Sequence, residues 1–168
     1  MSESPPISER VGLPRRLAAI GYDSLLLGAV LFVATALAIG LTVMVIGSEA
    51  FKAANPLSGN PFFRTWLLLV CFFFYGGFWV CGGQTLGMRA WRLRIQQHDG
   101  RGIRWQQALL RFLTAGLWLL PAIYLHQVLK IGIGPSLGAG AGGLLLLLAL
   151  RLPDRFSETE LVLIKKAA

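Results

Sequence analysis

The stretch Ile131-Gly132-Ile133-Gly134-Pro135-Ser136-Leu137-Gly138-Ala139-Gly140-Ala141-Gly142-Gly143-Leu144-Leu145-Leu146-Leu147-Leu148-Ala149-Leu150 decides how the chain is built. It has no charged residue, and about 20 residues at ~1.5 Å rise suffice to cross a bilayer core. Its first six residues hold two glycines and Pro135, which suit a turn better than a helix interior. A helix can still begin there with the proline in its first turn. Read as a span, the stretch gives four crossings; read as a loop, it leaves three. Gly134, Gly138 and Gly142 repeat at four-residue spacing, the pattern of a close-packed membrane helix. The same glycines also fit ordinary bilayer composition.

Three further apolar runs precede it. Residues 24–48 carry no Asp, Glu, Lys or Arg, and the run reaches back to Leu17 if Asp23 is tolerated inside it. Residues 65–88 form the second, aromatic at its centre, and residues 112–129 the third once Leu109 and Leu110 are recruited. The expected spans are therefore about 17–47, 65–84, 109–129 and 131–150, with a loop at 85–108. A tail at 1–13 precedes a single membrane domain at 14–164, and 165–168 close the chain. The expected fold class is an all-α membrane protein of four transmembrane helices, with a small cytoplasmic β-hairpin or amphipathic element. Composition agrees: 55% of the 168 residues are hydrophobic and 14% charged, with mean hydropathy +0.62. That balance excludes a disordered chain and a disulfide-stapled miniprotein.

The formal charge of +8 reads as topology rather than as nucleic-acid binding. Thirteen of the 16 Lys and Arg residues fall in the N-terminal segment, the 89–111 region and the C-terminal tail; only Lys52, Arg64 and Lys130 fall in the other two connections. By the positive-inside rule, both termini and the arginine-rich loop face the cytoplasm, against anionic headgroups. Cys71 and Cys81 stand ten residues apart on one helix, about 15 Å in axial rise, too far for a disulfide. His98 and His126 lack the spacing of a metal site. No metal, cofactor or catalytic constellation is read, and the chain is not expected to be an enzyme.

Asp23 needs a physical account, because a carboxylate at the bilayer centre costs about 2.5–3.5 kcal/mol on insertion scales. Arg16 and Ala19 share its helical face. Three readings stand: Asp23 binds a cation or proton, it pairs with an arginine, or it sits shallow and hydrated. Gln84 and Thr85 fall at the same expected level and are candidates for its hydrogen bonds. In the loop, Trp91, Leu93 and Ile95 alternate with Arg92, Arg94 and Gln96, a strand pattern, and Asp99-Gly100 is a hairpin-turn signal. Gly102–Trp105 is expected to return as a second strand, with Glu160–Lys165 of the tail as a third. The alternative is an interfacial helix at 89–97. Trp91 and Trp105 fit either version as headgroup anchors.

Read together, these residues resemble the RDD family of small integral membrane proteins. Arg16-Leu17-Ala18-Ala19 followed by Asp23 is similar to its opening, Gln84-Thr85-Leu86-Gly87-Met88-Arg89 to its second-span exit, and Ala108-Leu109-Leu110-Arg111 to a later segment. Asp154-Arg155-Phe156-Ser157 with Thr159 resembles its closing stretch. The resemblance assigns Arg16 and Asp23 to the named arginine and first aspartate, and Asp154, in preference to Asp99, to the second. Met88, Pro153 and Glu158 stand where lysine, histidine and glycine are common. The polar cluster expected to carry function or structure is Arg16, Asp23, Gln84, Thr85, Arg89, Arg111 and Asp154. The resemblance implies a bacterial inner (plasma) membrane location and suggests cation, proton or small-ligand transport; a 168-residue chain has little interior for an aqueous path, so transport would call for a homo-oligomer, whereas an accessory role would call for a membrane-protein partner packed on the glycine-rich fourth span. The competing class is a noncatalytic accessory or assembly subunit.

Overall fold

The computed structural model describes residues 11–164. Arg10, Lys165, Lys166 and most of the expected N-terminal tail lie outside the described residues. The chain runs α1 (Leu13–Ile46), α2 (Ser48–Ala54), α3 (Pro61–Gly82), α4 (Leu86–Ala90), β1 (Leu93–Gln97), α5 (Trp105–Gly116) and α6 (Leu119–Ile123). It continues through a π-helical turn at Tyr124–Val128 into α7 (Ile133–Leu150), α8 (Leu152–Phe156) and β2 (Thr159–Leu163). The protein is mostly helical, with one two-stranded sheet.

Helices α1, α3 and α7 are each long and apolar enough to cross a membrane, and α5 with α6 and the π-helical turn makes a fourth if the bent pair counts as one span. The bend is 41°. Its cause is local: Pro121 in the first turn of α6 has no N–H to give and crowds the carbonyl four residues back, at Leu117. Helix α7 begins at Ile133, so Pro135 lies in its first turn and the glycine-rich opening joins the helix. The connection between the first two expected spans contains the short helix α2.

The main helix contacts are α6 on α7, α1 on α4, α3 on α5, α5 on α8 and α1 on α3. Along most of their length the long helices expose apolar side chains such as Leu25, Phe32, Leu37, Met44 and Leu146. That is the surface expected of helices solvated by lipid. The protein's own core lies at one end, where Ala19, Trp79, Met88, Leu93, Ile95, Ile103 and Ala108 are buried together. At 34 residues α1 is about 51 Å long, well beyond a hydrocarbon core of ~30 Å. Its first turns are thus free to enter this core rather than lipid.

The sheet differs from the expected hairpin. Strand β1 pairs antiparallel with β2 of the tail, Leu93 opposite Leu163 and Gln97 opposite Thr159. The Asp99-Gly100 turn forms, with Gly100 at φ 81° and Gln97 N donating to Arg101 O at 2.9 Å. Residues 102–104 form no strand, however, and Trp105 opens α5. The tail supplies the apolar partners Leu161 and Leu163 that Gly102-Ile103-Arg104 cannot, and Ile103 is buried in the core instead. An interfacial helix at 89–97 does not form; α4 stops at Ala90 and β1 follows. Trp91 and Trp105 are both partly exposed, and Trp105 leans on Phe72 and Phe73 with ring centroids 6.0 and 6.2 Å away.

The end of α3 holds the sheet. Gly83, in the left-handed conformation (φ 68°), accepts at its carbonyl from Ile95 N at 2.7 Å. A Cβ there would fall 2.6 Å from the Ile95 carbonyl. Gln84 Nε2 donates to Leu93 O at 2.7 Å.

Candidate functional site

The buried polar residues of this end form two devices. The first is built on Asp23, which is 3% exposed. Thr85 caps α4 and its Oγ1 accepts from Met88 N at 3.2 Å, while its hydroxyl donates to Asp23 Oδ2 at 2.5 Å. Gly87 N donates to Asp23 Oδ1 at 2.8 Å. Each carboxylate oxygen therefore accepts one hydrogen bond, one from a hydroxyl and one from a helix-start N–H that has no partner within α4. Gly87 is required for the approach, since a Cβ would lie 2.8 Å from the Asp23 carboxyl carbon and collide with the Ala19 carbonyl. Asp23 thus bolts α1 to the segment leaving α3.

Asp154 is the centre of the second device. Arg16 Nη1 of α1 lies 3.4 Å from Asp154 Oδ2, and Arg111 Nη1 of α5 lies 2.6 Å from Asp154 Oδ1. The 2.6 Å approach is a charge contact; the aligned hydrogen bond of Arg111 Nη1 goes to Thr159 Oγ1 at 2.8 Å. Thr159 meets Ser157 Oγ at 2.7 Å, and Ser157 Oγ donates to Pro153 O at 2.5 Å. The Arg111 guanidinium also lies 5.7 Å from the centroid of the Trp79 ring, in cation–π range. One carboxylate of α8 therefore joins α1 and α5, shared by two buried guanidinium groups, and Arg111 carries the link on to β2.

The expected cluster is divided by this geometry. Asp23 and Thr85 belong to the first device; Arg16, Arg111 and Asp154 belong to the second. Gln84 serves β1, and Arg89 is exposed on α4, in neither device. Among the described residues no arginine or lysine lies within ion-pair distance of Asp23, so the Arg16–Asp23 pairing and an arginine partner from the loop are not what the structure forms. Nor is Asp23 open to solvent; at 3% exposure it is enclosed by protein. Asp99 is exposed and bonded to its own turn through Arg101 N at 3.0 Å.

Sequence reasoning missed Thr159, Ser157 and Gly87 as functional partners. A signal for Gly87 was present: Thr85-Leu86-Gly87 places a capping hydroxyl two residues before a residue without a side chain, the arrangement that lets an anion reach a helix start. The anion is the chain's own carboxylate. Among the described residues no group of three or more His, Cys, Asp and Glu is placed to hold a metal ion.

Comparison with known proteins adds the family. The sequence model of the RDD family matches residues 10–153. The match takes in Arg16, Asp23, Thr85, Gly87 and Arg111 and ends one residue before Asp154. No curated protein matches the chain, and no solved structure does. With most of its length matched, the chain belongs to the RDD family, a family of small membrane proteins.

Proposed function

We propose that this protein is a noncatalytic assembly or accessory module of the bacterial inner membrane, with its sheet and both ends of the described chain on the cytoplasmic side. The observation that carries the reading is the burial of Asp23 and its use as a tie between α1 and the α4 segment. A carrier that moves cations or protons on a membrane carboxylate needs that group free to exchange partners. Here one oxygen takes a hydroxyl and the other a backbone N–H, in a site closed by protein. Both contacts serve to fix α1 against α4.

The helix arrangement supports the same reading. The helices follow one another as α1, α3, α5–α6 and α7, and the cavity between α1 and α3 is an open apolar groove of about 440 Å³ lined by residues such as Val33, Leu37 and Trp66. Its lining offers an ion no ligands. The distribution of Lys and Arg supports the orientation, and the β1–β2 pairing supports a shared side for loop and tail.

The test is flux of sodium and protons in liposomes, run beside co-purification from native membranes. The reading expects no coupled flux above empty vesicles, and one stoichiometric membrane partner or a homo-oligomer on purification. Coupled flux lost in a folded Asp23→Asn variant would replace it with transport.

A further inference from the structure

The sheet has one edge closed and one open. On β1, Ile95 N donates to Gly83 O at 2.7 Å, Gln97 N donates to Arg101 O at 2.9 Å, and Leu93 O accepts from Gln84 Nε2 at 2.7 Å. The odd-numbered residues of β1 therefore turn their backbone groups away from β2, and the even-numbered ones bond across the ladder. Ile164 N, donating to Arg92 O at 2.8 Å, continues the even series. In β2, Thr159, Leu161 and Leu163 stand opposite the odd-numbered residues of β1, so their N–H and C=O groups point to the outer edge. Thr159 is buried against Arg111 and Ser157, which leaves Leu161 and Leu163 as the open part. Among the described residues, no backbone group bonds to the N–H or C=O of either. The strand also lacks the usual protections of an exposed edge: Thr159–Leu163 holds no lysine or proline, and its register with β1 has no bulge. Leu161-Val162-Leu163-Ile164 is apolar at every position, where a strand with one solvated face alternates.

We propose that two copies of the chain join at this edge, β2 against β2 in antiparallel register, to make one four-stranded sheet. The inference rests on the assembly reading above and deepens it by naming the partner and the surface. The open stretch is self-complementary. With Val162 opposite Val162 of the second copy, Leu161 of each copy meets Leu163 of the other, and each of these two pairs exchanges two backbone hydrogen bonds. Charge follows the same order. Glu158 and Glu160 flank the start of the apolar stretch, and Lys165 and Lys166 follow its end. Antiparallel pairing sets the acidic start of each strand beside the basic end of the other, whereas parallel pairing would set like charges together. The two-fold axis of the pair is perpendicular to the sheet, whose inner face rests on Ala19 of α1, Trp79 of α3 and Ala108 of α5. With that face toward the membrane, both copies insert in the same sense.

The experiment uses full-length protein, with Cys71 and Cys81 replaced by alanine, in two separately tagged forms: one carries Glu160→Cys and the other Ile164→Cys. In the proposed register these positions are opposite across the new edge, with Cα atoms about 4.5 Å apart, within disulfide reach. Two copies of the same form hold their cysteines four residues apart along the strands, about 13 Å, which is too far. Oxidation in vesicles should therefore link the mixed forms and neither form alone. Leu161→Pro, introduced into both forms, removes the two outward N–H donors at the centre of the pair and leaves the β1–β2 ladder its bonds. It should weaken the dimer Kd roughly tenfold, measured by energy transfer between labelled copies, with the helical signal retained. If Leu161→Pro loses that signal, the cross-link between forms with an intact edge decides alone. A monomer, mixed forms that link no more than single forms, or an unchanged Kd in folded Leu161→Pro overturns the proposal. Cross-linking of Ile164→Cys to a different protein in native membranes, in place of a second copy, also overturns it and leaves the assembly reading standing. Coupled sodium or proton flux through an edge-linked dimer overturns the assembly reading and leaves the pairing.

Discussion

Replacing Arg16, Asp23, Arg111 and Asp154 singly and in pairs separates the two devices from a single arginine–aspartate pair. Arg111 and Asp154 are each 8% exposed and 2.6 Å apart, whereas Arg16 and Asp154 are 3.4 Å apart. Removing the carboxylate of Asp154 leaves two buried cations unmatched, and breaking a buried pair this way costs about 3–5 kcal/mol. Asp154→Asn, which keeps the shape and some hydrogen bonding, should fall toward the lower end. Double-mutant cycles with Arg→Met and Asp→Asn should give a coupling of about 1–3 kcal/mol for Arg111–Asp154 and a smaller one for Arg16–Asp154. Arg16 and Asp23 share no partner, so their effects should add to within about 0.5 kcal/mol. The assay is equilibrium unfolding in mixed micelles, followed by helical circular dichroism. A coupling above about 1 kcal/mol for Arg16–Asp23, or none for Arg111–Asp154, would refute the division.

Gly87→Ala should destabilise by about 1–3 kcal/mol in the same assay, because its Cβ meets the Asp23 carboxylate and the Ala19 carbonyl. Gly138→Ala should stay within about 0.5 kcal/mol, since open space surrounds that position. Asp23→Asn should cost less than Asp23→Leu by about 1–3 kcal/mol, read by unfolding midpoint. Its amide can accept from Gly87 N and donate to Thr85, whereas leucine leaves both groups without a partner. Thr159→Val should lower stability by about 1–3 kcal/mol, as it removes the hydroxyl that Arg111 and Ser157 both engage.

The membrane character, the apolar runs and the strand at Leu93–Gln97 were legible because each rests on a local pattern of hydropathy. What sequence could not settle was pairing. Asp99-Gly100 makes a turn with any following chain, and only the competition for the inner face of β1 decides that Leu161 and Leu163 of the tail occupy it. The glycines of α7 show the same limit: Gly134, Gly138 and Gly142 meet nothing among the described residues, whereas Gly140 and Gly143 take the contacts of Ala122 and Trp118. Period alone does not say which face of a uniformly apolar helix meets its neighbour. For the polar residues, helical spacing set Arg16 and Asp23 on one face of α1, but their partners come from α4, α5 and the tail, at sequence separations no local rule reaches.

The meeting of the arginine-rich loop and the tail is tested most directly by a cross-link between β1 and β2. Gln96 and Glu160 are opposite each other in register, so cysteines there have the Cα separation a disulfide requires. With Cys71 and Cys81 replaced by alanine and a protease site inserted at Gly100, oxidised Gln96→Cys, Glu160→Cys protein should remain one covalent species after cleavage and separate on reduction. Fragments that part without reductant, in protein that retains its helical signal, would contradict the account.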